Sequence, residues 1–184
     1  GCVFGVKGPA IFSASNSGQS LLALMAIGQS RIFKSLVSLH MAFGSFDVGV
    51  VQRTPIPPEA DLVNSDLPDL ALKAWNLKRK LDYIVETSHA FVLPRALLEQ
   101  KINFDPVEIV NELGSVVEKI ELEALEVYST NSNKDLLIAA NSNPQKLRIE
   151  YDNSWDEYGL LSWCVGVAMG RFDIGLATGT SLLP

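Results

Sequence analysis

The chain has 184 residues, 47% hydrophobic and 20% charged, a globular composition that excludes a mainly disordered protein. At this length one domain, or two small pieces packed together, buries roughly 70% of its unfolded surface, so no disulfide or metal is needed to hold it. Fifteen cations against 21 anions give a net charge of −6, which excludes the all-round basic surface of a free-standing nucleic-acid binder.

The charge is uneven. Residues 1–58 carry Lys7, Arg31, Lys34 and Arg53 against Asp47 alone (+3), whereas residues 59–184 carry eleven cations against twenty anions (−9). Any DNA contact is therefore expected in the N-terminal third, or around Lys78, Arg79 and Lys80. No apolar run approaches the roughly 18 residues of a membrane span; the longest, Gly159 to Gly170, has twelve. No basic head followed by an apolar run opens the chain, so no secretory signal is expected. Cys2 and Cys164 stand 162 residues apart and form no ligand pattern. The expectation is a reduced, cytoplasmic location with no membrane partner.

The first eighteen residues, rich in Gly and Ser, read as short strands and turns. From Ser20 to about Met41 the residues Leu21, Leu24, Met25, Gly28, Ile32, Leu36 and Leu39 recur at helical spacing, with Arg31 and Lys34 off the apolar stripe. Phe46 to Val51 reads as a strand, ended by Thr54-Pro55-Ile56-Pro57-Pro58, because proline lacks a donor and extends the residue before it. The composition shift at Pro58 is the one boundary, dividing residues 1–58 from residues 59–184.

Further on, Leu70, Ala74, Leu77, Leu81 and Ile84 step by 4, 3, 4 and 3, a helix with a narrow apolar seam. Pro94 interrupts the next stretch. Asp105-Pro106-Val107-Glu108 has the chemistry of a helix start: a capping carboxylate, proline at the first helical position and Glu three after the cap. Val110, Leu113, Val117, Ile120, Ala124 and Val127 then give that helix its apolar face. Residues 129–153 are rich in Asn and Ser. Trp155 to Gly170 reads as a last helix, buried nearly all round, with Gly166 and Gly170 admitting another backbone and Cys164 as inert core. The fold class expected is α+β, mostly helical: a partial β-containing piece with an exposed edge or apolar patch near residues 1–15, followed by a helical bundle.

Much chemistry is missing. No two of the 13 glycines are two positions apart, so no Gly-x-Gly exists, and no Gly-Lys-Ser/Thr occurs. Both the dinucleotide fingerprint and the P-loop are thereby excluded. There is no Gly-x-Ser-x-Gly elbow. His40 and His89 lack the close His or carboxylate spacing of a zinc site, and His40 reads as a helix end. Pro68-Asp69 and Glu99-Gln100-Lys101 mimic a metal-nuclease pattern, in which two carboxylates hold a divalent ion and a lysine helps activate water. That arrangement needs a strand, and both pieces read as helix ends. No catalytic, cofactor-binding or metal-binding residue is therefore expected in this chain.

Two stretches carry a more specific signal. Phe46 to Pro58, FDVGVVQRTPIPP, preceded by the helix LLALMAIGQSRIFKSLVSL, resembles the end of a target-recognition domain and its exit into a spacer helix. Such domains serve type I specificity subunits and single-chain type II restriction-modification methylases. Leu160 to Thr178, LLSWCVGVAMGRFDIGLAT, resembles the Gly-Arg-Phe/Trp-Asp segment of large adenine DNA methylases of the restriction and phage-defence type. Ala74 to Arg79, Ser88 to Phe91 and Glu118 to Tyr128 follow the same order.

The resemblance implies a parent protein of the type IIG kind. Such a protein transfers a methyl group from S-adenosylmethionine to adenine in a specific site of double-stranded DNA, and some members also cleave DNA. The family's Asn-Pro-Pro-Tyr/Phe motif, which holds the flipped adenine, has no match: Pro57-Pro58 follows Ile56, and Asn143-Pro144 precedes Gln145. The glycine-rich cofactor loop is absent as well. The chain thus resembles a non-catalytic segment, residues 1–58 being the end of a recognition domain and residues 59–184 a helical spacer. Its catalytic methylase domain is expected in cis, and the S-adenosylmethionine site belongs there. Arg31, Lys34, Gln52 and Arg53 are the candidates for phosphate or base-edge contacts, with Lys78, Arg79 and Lys80 adding phosphate contacts from the spacer helix. The alternative is a helical protein-interaction scaffold with no DNA contact of its own.

Overall fold

The computed structural model describes residues 10–13, 16–41, 48–131 and 156–182. These residues are 71% helical and contain no strand, which overturns the α+β expectation. The helices are α1 (Gly18–Gln29), α2 (Arg31–His40), α3 (Val48–Arg53), α4 (Glu59–Asn64), α5 (Leu67–Asp82), α6 (Arg95–Lys101), α7 (Pro106–Asn131), α8 (Asp156–Ala168) and α9 (Ile174–Thr178). They fall into two compact units, Gly1–Ala74 with Val116–Leu147 and Trp75–Ser115 with Arg148–Pro184. Among the described residues no single helix is long and apolar enough to cross a membrane.

In the first unit the expected Ser20–Met41 helix is two helices, bent by 71° at Ser30. Ser30 is extended (φ −64°, ψ 147°). Its hydroxyl donates to the Ile27 carbonyl at 2.6 Å and accepts from the Phe33 amide at 3.4 Å. Serine competes for backbone partners in this way, and Gly28 just before it weakens the helix further. Ala23, Ala26 and Ile27 of α1 and Ile32, Phe33, Leu36 and Val37 of α2 are buried. α1 packs against both α2 and α4.

The strand expected at Phe46–Val51 is instead helical from Val48 onward; Phe46 and Asp47 lie outside the described residues. Alternating valines favour a pleated surface only where another strand supplies hydrogen bonds. Here the segment satisfies its own carbonyls, the Thr54 amide and hydroxyl both donating to Val50 O at 3.2 and 3.0 Å. Pro55 follows the end of this helix, where the prolines were expected to end a strand. Of the apolar patch expected near residues 1–15, Ile11 and Phe12 are exposed, while residues 1–9, 14 and 15 lie outside the described set.

Carboxylates of α4 and α7 serve helix starts elsewhere in this unit. Glu121 of α7 accepts from the Arg31 amide with both oxygens, at 3.2 and 3.0 Å, and pairs with the Arg31 guanidinium at 3.5 Å. Glu123 accepts from the Asp66 amide ahead of α5 at 3.3 Å, and Glu59 of α4 accepts from the Ser20 hydroxyl. Glu121 and Glu123 thus serve backbone amides that a helix start leaves open, with negative charge at the positive end of the helix dipole, whereas Glu59 ties α4 to α1 through a side chain. Tyr128 is 2% exposed and donates to the Pro55 carbonyl at 3.0 Å, tying down the proline exit. Burial pushes its phenol up from 10.0 to about 12.

The second unit has its core at Val92, Leu93, Leu98, Phe104 and Trp163, with Tyr83, Ile84, Phe91, Ile109 and Phe172 packed round it. The turns after α5 close when Tyr83 O accepts the amides of Val92 and Leu93 at 2.8 and 3.3 Å. Asp105 caps α7 as expected, its Oδ1 accepting from Val107 N at 2.8 Å and Glu108 N at 3.2 Å.

The all-round burial expected of the last helix is not found. α8 buries Trp163 and Gly166 but exposes Tyr158, Leu161 and Val165, and Cys164 is exposed rather than core. An apolar stretch states that a helix can be covered, not which of its faces is.

Candidate functional site

The Gly-Arg-Phe-Asp stretch folds into a clip at the end of α8. Gly170 takes a left-handed conformation (φ 74°) that favours glycine. Its amide donates to Val167 O at 3.0 Å and the Arg171 amide to Gly166 O at 2.7 Å, the paired closure that ends a helix on a left-handed residue. The chain then doubles back, and Phe172 occupies the space that a side chain at Gly166 would need. Gly166 is thus the close approach, to a ring rather than a backbone, while Gly170 is a cap with open space beside it. Asp173 caps α9, accepting from Gly175 N at 2.7 Å and from the Ser181 hydroxyl at 2.8 Å.

This clip meets the turn after α5. The rings of Phe91 and Phe172 lie 5.2 Å apart and tilted by 57°, an attractive aromatic geometry. Arg171 pairs with Glu86 at 3.1 Å, and its guanidinium lies 4.8 Å from the Phe172 ring centre.

On the same unit, the end of α5 and the Thr87–Ala90 turn enclose an open cleft of about 410 Å³. Trp75, Lys78, Arg79 and Asp82 line it from the helix; Thr87, Ser88, His89 and Ala90 line it from the turn. Arg79 lies 5.4 Å from the centre of the Trp75 ring, a cation–π distance. Lys78 Nζ bonds Asp82 Oδ1 at 2.8 Å. The Ser88 hydroxyl accepts from the Ala90 amide at 3.1 Å. Arg79 and Lys80 stand in the last turn of α5, where cations complement the helix dipole.

The seven candidate DNA residues divide between the units. Lys78 and Arg79 line the cleft, and Lys80 is exposed beyond its lining. Arg31, Lys34, Gln52 and Arg53 belong to the first unit. There Arg31 is engaged by Glu121, Lys34 donates to Gln29 Oε1 at 3.2 Å, and Gln52 and Arg53 are exposed at the end of α3. The nuclease-like pieces are helical, Asp69 in the first turn of α5 and Glu99–Lys101 closing α6, with Glu99 bound to Arg95 at 2.6 Å. Trp75, Ser88 and His89 are the cleft residues that charge reading missed. The four-residue spacing from Trp75 to Arg79 was a usable signal, whereas the approach of the turn was not. Compared with protein-family models, curated proteins and solved structures, the chain matches none.

Proposed function

We propose that this chain is the recognition and spacer region of a restriction-modification, phage-defence adenine DNA methyltransferase. The observation that carries this reading is the meeting of Ser88–Phe91 with Gly170–Asp173, two stretches far apart in sequence that resemble that family. Phe172 packs on Phe91 and into the gap at Gly166, and Arg171 reaches Glu86. Residues that build one junction have a reason to occur together, which a chance resemblance would lack.

The reading now rests on helical elements, since the strand of the supposed recognition domain is α3. The parent protein would supply the S-adenosylmethionine site and catalytic domain in cis and act in the cytoplasm on double-stranded DNA. A second reading, a helical scaffold without DNA contact, is favoured by the apolar surface of α8, where Tyr158, Leu161 and Val165 are exposed.

The test is to sequence the native reading frame around this segment and map N6-methyladenine in cells that express it. An Asn-Pro-Pro-Tyr/Phe motif in the frame together with methylation at one defined site is the expected result. A frame without that motif, or DNA without the modification, overturns the reading.

A further inference from the structure

We propose that the cleft between the end of α5 and the Ser88–His89 turn binds one phosphodiester of a nucleic-acid strand, with the neighbouring nucleoside packed on Trp75. This deepens the recognition reading and rests on it, by giving DNA a place to touch the otherwise acidic part of the chain.

Charge selects the ligand. Lys78 and Arg79 bring two positive charges to the cleft and Asp82 one negative, leaving a surplus of one that matches the single charge of a phosphodiester. Free phosphate and phosphomonoesters carry more charge and would meet the Asp82 carboxylate uncompensated. Among the described residues Arg79 pairs with no carboxylate. Its position over Trp75 orients the guanidinium while leaving its in-plane N–H groups to donate. Lys78, tethered to Asp82, keeps further donors for an oxygen ligand. The Ser88 hydroxyl already accepts from the Ala90 amide, so its own hydrogen is free to be given to a phosphate oxygen. His89 stands next to it on the lining.

Shape agrees with charge. An open cleft suits a strand that must enter and leave, whereas a free small ligand is usually held by enclosure. Trp75 is 47% exposed, a half-open aromatic side chain beside two cations. Base–aromatic stacking of this kind tolerates any base. The site therefore grips without reading sequence.

The experiment measures binding of the 184-residue chain to a fluorescent single strand and to its duplex across a salt series. The variants are Arg79→Ala, Trp75→Ala and, outside the cleft and the candidate DNA residues, the exposed Lys119→Ala, each checked for folding by circular dichroism. Expected is several-fold weaker binding for Arg79→Ala, with the salt slope reduced by about 1. Trp75→Ala should weaken binding with the slope unchanged, and Lys119→Ala should match the parent. Displacement of DNA by equally dilute inorganic phosphate would reassign the cleft to free phosphate and overturn the strand. Equal losses for Arg79→Ala and Lys119→Ala would mean diffuse attraction and overturn the site. So would an unchanged Arg79→Ala variant, or a parent chain blind to DNA at low salt. The methylation map answers separately, so a failed cleft leaves recognition to contacts elsewhere, while a failed map removes the recognition reading itself.

Discussion

Phe172 fills the space beside Gly166 that any side chain at position 166 would have to occupy. The glycine and the ring are therefore one feature, a helix face left bare so that the chain can fold back against it. Gly166→Ala should destabilise the protein by about 1–3 kcal/mol through overpacking, even though alanine is the better helix former. In a Phe172→Ala background the same change should stabilise by about 0.5–1 kcal/mol, because only helix propensity remains. Urea unfolding of the four proteins checks this, and equal effects of Gly166→Ala in both backgrounds would break the link.

Asp173 holds the next step of that fold by accepting from Gly175 N and Ser181 Oγ. Its replacement by Ala should cost about 1–2 kcal/mol, the usual loss of an N-terminal cap. Asp173→Asn keeps an acceptor for the Gly175 amide and should cost clearly less. Thermal unfolding of the pair separates capping from charge.

These contacts mark the limits of what the sequence reveals. The start of α7 was legible because its cap is local: Asp105, Pro106 and Glu108 carry the whole instruction. The seam of α7 was nearly so, with Val116 buried where Val117 was expected. Phe46–Val51 misled because valine alternation states a preference that only a neighbouring strand can realise, and among the described residues there is none. For the cleft, Lys78 and Arg79 were visible as cations. The arrival of Ser88 and His89 depends on Tyr83 O receiving two amides from the far side of the turn, which no spacing encodes.

Tyr128 makes stability depend on alkaline pH. Burial raises the phenol from 10.0 to about 12, so the folded chain holds this proton more tightly than the unfolded chain does. Its contribution is therefore level below pH 10 and lost as pH rises from 10 towards about 12. Tyr128→Phe should lose about 1 kcal/mol at neutral pH, since Pro55 O forfeits its donor. It should also decline less steeply above pH 10. Chemical unfolding of both proteins over that range gives the difference directly, free of the lysines and tyrosines common to both.

Arg171 distinguishes a structural role from a DNA contact within the same clip. Its bridge to Glu86 is solvent-exposed on the arginine side, so Glu86→Gln should change stability by no more than about 0.5 kcal/mol. Arg171→Ala also removes the guanidinium from the Phe172 ring and should cost about 0.5–1 kcal/mol more than Glu86→Gln. If Arg171 works only through Phe172, the extra cost should vanish when Phe172 is already Leu, and DNA binding by the folded variant should keep its salt slope. A reduced slope in Arg171→Ala would move this arginine from the packing of the clip to the list of phosphate contacts.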